Sequence, residues 1–181
     1  FVLSTIFSIF LGKYFIRYMA KRQFGQIVRD EGPESHHVKR GTPTMGGIFI
    51  YFSVLFSVFI SGNFFSPAIL AFLFVFMSFT ALGFLDDYLK VLKKDTAGVS
   101  GKMKILWQLV TSLLVMYWLI EHKSFDTNLY LPFFKNAIFD LGYWYIAFGA
   151  FVIVGASNAV NLTDGLDGLA IGPIITSALT L

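Results

Sequence analysis

From Gly41 to Leu85 the chain runs for 45 residues without a charged side chain or a histidine. No water-soluble fold requires such a run, whereas two bilayer-spanning helices of about 20 residues each do. The rest of the chain agrees. Charged residues make up 14%, against about 25% in an ordinary soluble domain whose surface must face water. Mean hydropathy is +0.69. The runs are too long and continuous for the alternating strands of a barrel, and backbone groups in lipid must be satisfied internally, so helices are predicted.

Five spans and the start of a sixth follow. The first covers about 1–19. The second and third come from the 45-residue run, divided by Ser61-Gly62-Asn63 and Ser66-Pro67, residues that favour turns. The fourth covers about 105–120 and the fifth about 144–157, and the sixth begins near Leu169. The predicted fold class is therefore all-α, a polytopic integral membrane protein with one transmembrane domain over 1–181. Apolar residues open the chain at Phe1, and the run Leu169–Leu181 is short for a span, so a fragment cut through helices at both ends is expected. Lys13 and Arg17 follow the first apolar stretch, the reverse of a cleavable signal peptide.

Basic residues set the orientation. Segment 20–44 carries Lys21, Arg22, Arg29, Lys39 and Arg40, and segment 86–104 carries Lys90, Lys93, Lys94, Lys102 and Lys104. The connection 61–68 has none, and 121–143 has only Lys123 and Lys135. This bias places 20–44, 86–104 and, by alternation, 158–168 on the cytoplasmic side. Tyr143-Trp144-Tyr145 then suits an aromatic belt at the outer end of the fifth span. The net charge of +3 follows from this topology and does not argue for a nucleic-acid partner. The absence of cysteine excludes disulfides and thiolate zinc sites.

The chemically unusual residues all fall on the predicted cytoplasmic side. Asp86-Asp87 close an apolar helix, with Lys90 one turn on. Adjacent carboxylates repel unless a cation or a shared proton offsets them, and Mg²⁺ binds through one or two carboxylates plus substrate phosphates. A pair of solvated helix caps fits the two residues equally well. In 158–168 the polar residues Asn158, Asn161, Asp164 and Asp167 recur every third position, with Gly165 and Gly168 between them. On a helix that spacing sweeps about half a turn of surface, while the glycines favour an irregular loop. Polar backbone entering a bilayer is tolerated where it lines a cavity. In 35–47, SHHVKRGTPTMGG, basic and hydroxyl groups flank a glycine-rich turn. That suits phosphate binding or a helix start beside topogenic charge. In GVSGKMK at 98–104, Lys102 reads as a site residue and Lys104 as an anchor to anionic headgroups.

Taken together, SHHVKRGTPTMGG (35–47), DDYLK (86–90), GVSGKMK (98–104) and NAVNLTDGLDGLA (158–170) resemble the phospho-N-acetylmuramoyl-pentapeptide-transferase family (MraY). That family lies within the polyprenyl-phosphate N-acetylhexosamine-1-phosphate transferases. GQIVRDEGP at 25–33 resembles its first cytoplasmic loop. The resemblance implies a fold of about ten helices in full, a site facing the cytoplasm, and a Mg²⁺-dependent step of peptidoglycan synthesis at the bacterial inner membrane. UDP-MurNAc-pentapeptide and undecaprenyl phosphate would give lipid I and UMP. It implies catalytic roles for Asp86, Asp87 and Asp164, with Asp87 and Asp164 as metal ligands and a further ligand beyond Leu181. Lys39, Thr44, Lys90, Lys102, Asn158, Asn161 and Asp167 would bind substrate. A homodimer is compatible with this reading, and the fragment alone is expected to be inactive. A UDP-GlcNAc or UDP-GalNAc transferase is the rival within the same chemistry. A lipid-linked sugar transporter is the rival in another class, but transporters place polar residues near the midplane within repeated halves, and no repeat is visible here.

Overall fold

The computed structural model describes residues 2–21, 46–93, 98–123, 126–130, 139–164 and 169–180. Within them the architecture is helical apart from one minimal hairpin: α1 (Val2–Lys21), α2 (Gly47–Ser61), α3 (Pro67–Lys93), α4 (Gly101–Glu121), β1 (Asn128–Leu129), β2 (Phe139–Asp140), α5 (Trp144–Thr163) and α6 (Ile171–Thr180). Three of these, α3, α4 and α5, are long and apolar enough to cross a bilayer, while α2 and α6 are apolar but shorter. The chain forms two compact units, Phe1–Asn63 with Phe76–Lys104, and Phe64–Val75 with Ile105–Leu181.

In the first unit α1 packs along α2. Phe7 stacks on Phe56 with ring centroids 4.3 Å apart, and Phe15 meets Phe49 at 5.6 Å. Gly12 faces the Phe49 ring, where an added Cβ would sit in ordinary contact at 3.6 Å. Hydroxyls on α2 are satisfied within the helix: Ser53 Oγ donates to the Phe49 carbonyl at 2.7 Å and Ser57 Oγ to the Ser53 carbonyl at 2.9 Å. That is the solution open to a polar side chain surrounded by hydrocarbon. Gly62 ends α2 with its N–H 2.6 Å from the Val58 carbonyl oxygen. A Cβ on Gly62 would lie 2.4 Å from that same oxygen, so only glycine closes the helix this tightly. Pro67 then occupies the first position of α3, where its missing N–H costs nothing.

In the second unit α4 and α5 approach at Gly149, where a Cβ would collide with the end of Met116. The Tyr143 hydroxyl donates to Glu121 at 3.3 Å. β1 and β2 pair antiparallel, Asn128 with Asp140 and Leu129 with Phe139. Both sides of this connection carry local order: the Asp140 carboxylate accepts from the Thr127 hydroxyl and from the Gly142 N–H. These bonds, the hydroxyl first, hold the Asp140 carboxyl below its usual range. A depressed folded pKa contributes order that is complete above the ordinary carboxylate value of about 3.9 and is lost as pH falls through the lower folded value. Amide protection of 126–130 and 139–142 is therefore expected to stay flat from neutral pH to about pH 5 and to fall only in stronger acid. Asp140→Asn should remove that acid response. Protection that changes between pH 5 and 7 would contradict the assignment.

The largest apolar side chains face outward: Phe65 is 95% exposed, Leu162 83%, and Phe59 and Phe151 75% each. Enclosed positions are mostly small, Ser53, Ser112, Ala71, Ala150 and Ala170 among them. In water such a surface would be an association site. In an integral membrane protein such a surface suits lipid or neighbouring membrane helices.

Two sequence expectations change. The spans do not stop where charge begins: α3 continues past Asp86-Asp87 to Lys93, and α5 continues past Ser157 to Thr163. In α3 the extension is supported by Lys90 and Lys93, cations in the last turn where the helix dipole favours them. The predicted aromatic belt residues Tyr143 and Trp144 are exposed at the start of α5.

Candidate active site

Among the described residues of the first unit, Asp86 gathers two lysines and a backbone N–H. It sits in α3 with only 8% of its surface exposed. A buried carboxylate is costly unless its lone pairs are taken up by charge and hydrogen bonds, and here they are. Lys90 Nζ lies 2.7 Å from Oδ2, the i,i+4 arrangement with the acid on the N-terminal side. Lys104 Nζ lies 2.9 Å from Oδ1, and the Val99 N–H donates to the same oxygen at 2.7 Å. Charge-assisted bonds of this length are the strong ones.

The third partner explains a glycine. For Val99 to reach Asp86, residues 98–100 must fold back onto the end of α3, and Gly98 passes directly against the carboxylate. A Cβ at position 98 would stand 2.1 Å from Oδ1 and 2.9 Å from the Asp86 carbonyl oxygen. Ser100 then opens α4, its Oγ accepting from the Met103 N–H and its carbonyl from the Lys104 N–H. The first turn of α4 thus brings Lys104 to Asp86 and leaves Lys102 exposed.

Asp87 differs from its neighbour. Its side chain is 38% exposed, and Lys90 Nζ stands 3.7 Å from Oδ1, a full ångström farther than from Asp86. The adjacent acids are therefore not equivalent: one is bound into the protein and the other keeps oxygen lone pairs for a ligand. Among the described residues no three His, Cys, Asp or Glu side chains gather into a closed metal cage. Mg²⁺ does not need one, since one or two carboxylates and substrate phosphates suffice. Asp87 fits that requirement, whereas both oxygens of Asp86 are occupied by lysine.

The second cluster lies in the other unit, at the C-terminal end of α5. Asn158 and Asn161 are helical and Asp164 is the C-cap, its N–H bonded to the Val160 carbonyl at 3.0 Å. Asn161 and Asp164 are exposed and Asn158 is partly buried. Asn158 Nδ2 donates to Gln108 Oε1 at 2.7 Å and to the Val154 carbonyl at 2.8 Å. Of the two sequence readings for this stretch, helix holds through Thr163.

Asp86, Asp87 and Lys90 are thus brought together at the end of α3, Lys102 stays exposed in the first turn of α4, and Asn158, Asn161 and Asp164 lie at the end of α5. Lys39, Thr44 and Asp167 lie outside the described residues. Sequence reasoning missed Lys104, read as a headgroup anchor, and gave Gln108 no role. The signal for Gln108 was available, since it is the one amide inside the apolar run of α4.

Comparison with known proteins shows which family the chain belongs to. The profile of glycosyl transferase family 4 matches residues 69–181, and phospho-N-acetylmuramoyl-pentapeptide-transferase signature 1 matches residues 39–50. A relative from Desulfotalea psychrophila, named phospho-N-acetylmuramoyl-pentapeptide-transferase, is 47% identical over 177 residues, 98% of this chain and 49% of its own length. Proteins of the same name from Desulforapulum autotrophicum and Syntrophus aciditrophicus are 48% and 43% identical, over 94% and 99% of this chain and 47% and 50% of theirs. The chain spans about half the length of the curated relatives it matches. Because the family profile covers most of the chain, from within α3 to the last residue, this is a membrane-embedded member of glycosyl transferase family 4 that also carries the phospho-N-acetylmuramoyl-pentapeptide-transferase signature.

Proposed function

We propose that the protein transfers phospho-MurNAc-pentapeptide from UDP-MurNAc-pentapeptide to undecaprenyl phosphate, giving lipid I and UMP at the cytoplasmic face of the bacterial inner membrane. The observation that carries this reading is the inequivalent acid pair: Asp86 fixed by Lys90, Lys104 and Val99, and Asp87 beside it with oxygen to spare. The family match and the printed names of the relatives support it independently. The wider topology of the proposal has five spans and a sixth begun, with the loops bearing the motifs on the cytoplasmic side.

The reaction joins two anions. An oxygen of the lipid phosphate attacks the sugar-linked phosphorus of the diphosphate, the bond to the UMP oxygen breaks, and UMP leaves with that electron pair. Such a reaction depends on positioning and on neutralising charge. Lys90 and Lys102 supply positive charge at the phosphates. Asp86 holds Lys90 and Lys104 in place. Asp87 would hold Mg²⁺, which when bound offsets charge on the diphosphate. Asn158, Asn161 and Asp164 serve the nucleotide–sugar end, where uracil and sugar present N–H and O–H donors, and Lys39, Thr44 and Asp167 complete the substrate contacts.

The test is UMP release and lipid I formation by the full-length protein with Mg²⁺ and undecaprenyl phosphate, run with UDP-MurNAc-pentapeptide and, in parallel, UDP-GlcNAc and UDP-GalNAc. Turnover with the first alone is the expected result. Turnover only with an acetylhexosamine donor would move the protein to the sister activity. No UMP with any donor would end the enzymatic reading.

A further inference from the structure

Gln108 is 8% exposed in α4, and its side chain bonds to two neighbouring residues of α5. Its Oε1 accepts from Asn158 Nδ2 at 2.7 Å, and its Nε2 points to Ser157 Oγ at a longer 3.4 Å. An amide nitrogen carries two protons, and the second proton of Asn158 goes to the Val154 carbonyl. Both donors of Asn158 are therefore consumed within the protein. What remains is the carbonyl oxygen Oδ1, an acceptor, just under one helical turn from the exposed Asn161.

We infer that Gln108 is a positioning residue for the nucleotide–sugar end of the site, fixing Asn158 so that it meets a ligand only as an acceptor. The Val154 carbonyl can only accept, so it sets which side of the Asn158 amide donates, and a flip would turn Oδ1 against that oxygen. Gln108 reaches across from α4 to take the second proton and ties the amide to a second helix, in surroundings where an unmet polar group is expensive. The ligand chemistry at Oδ1 is accordingly an N–H or O–H donor of a nucleotide sugar. The inference rests on the function proposed above for that ligand, and on the hydrogen bonds alone for the placement.

The experiment uses the full-length protein and the pair Gln108→Met and Gln108→Glu, with KM, kcat, melting temperature and amide exchange over 154–164 measured for each. Methionine keeps the length and loses the acceptor, while glutamate keeps an acceptor for Asn158 Nδ2. Gln108→Met is expected to raise KM for UDP-MurNAc-pentapeptide about tenfold, as expected for one misplaced hydrogen bond, with kcat changed less. Gln108→Glu should restore KM to within about threefold of wild type, whatever its melting temperature. Equal KM in wild type and Gln108→Met, or equal impairment in both variants, would overturn the inference, the second outcome marking a packing role only. Should the wild type turn over no nucleotide sugar, the function reading falls and amide exchange still decides the placement. Faster exchange in Gln108→Met with recovery in Gln108→Glu supports it, and unchanged exchange in Gln108→Met overturns it.

Discussion

Asp87→Asn in the full-length protein is expected to lower kcat by about 10²–10³-fold, the range seen when one electrostatic contact to developing charge is removed, with little change in melting temperature. The basis is exposure and distance: Asp87 gives the fold little, since Lys90 stands 3.7 Å away and its side chain is 38% exposed. Asp86→Asn should behave differently. It leaves Lys90 and Lys104 without the carboxylate that both contact within 2.9 Å, and an amide NH₂ would face one of them. The expected cost is about 1–3 kcal/mol of stability in addition to lost activity. Partial exposure of both lysines keeps it below the penalty for breaking a fully enclosed pair. The decisive measurement is kcat and melting temperature for the two variants side by side. Identical stability losses, or full activity in Asp87→Asn, would remove the distinction between the acids.

Gly98→Ala is the second large effect. The added methyl would need to occupy space 2.1 Å from Asp86 Oδ1 and 2.9 Å from the Asp86 backbone oxygen. Because the backbone oxygen belongs to a helix, the returning segment must lift instead, which breaks the Val99 bond to Asp86 and draws Lys104 away. A loss of about 2 kcal/mol or more is expected, within the range for strain joined to a broken buried network, together with a fall in activity comparable to Asp86→Asn. Gly149→Ala is the control. The three atoms nearest its methyl, Cε, Sδ and Cγ, all belong to the side chain of Met116, and a methionine turns aside more readily than a helix backbone. If both alanine variants melt and turn over alike, the tight passage at Gly98 is not what holds Asp86.

These expectations come from contacts the sequence could not display. That the run from Gly41 to Leu85 would supply apolar helices was legible at once, because lipid imposes length and polarity on any span, and α2 and the start of α3 bear it out over the described residues. The turn at 61–67 was legible for a similar reason, Gly62 and Pro67 being residues with few other uses. The ends of α3 and α5 were not. Charge at Asp86 and amides at Asn158 mark where polar chemistry begins, but a helix continues through such residues when its turns satisfy them, as Lys90 does for Asp86. Lys104 was misread because its partner lies 18 positions earlier, and that pairing exists only once 98–100 has folded back. Asn158 was singled out from its spacing, yet the bond that ties its amide to Gln108 joins two helices 50 positions apart and could not be read there.

The placement of bulk has a practical consequence for how this protein accepts change. In a water-soluble domain, swapping large side chains is dangerous and the exterior is permissive toward polar ones. Here Phe59, Phe65 and Phe151 project outward while Ser53, Ser112, Ala71 and Ala150 are shut in. Exchanging an outward phenylalanine for leucine or isoleucine should pass almost unnoticed, and a lysine there should not. One extra methylene at Ala150 or Ser112, a change most soluble proteins would meet on their skin, would instead push helices apart. A library of variants sorted by folding would therefore look turned inside out, with the greasy exterior free to vary in shape and the small interior held nearly fixed.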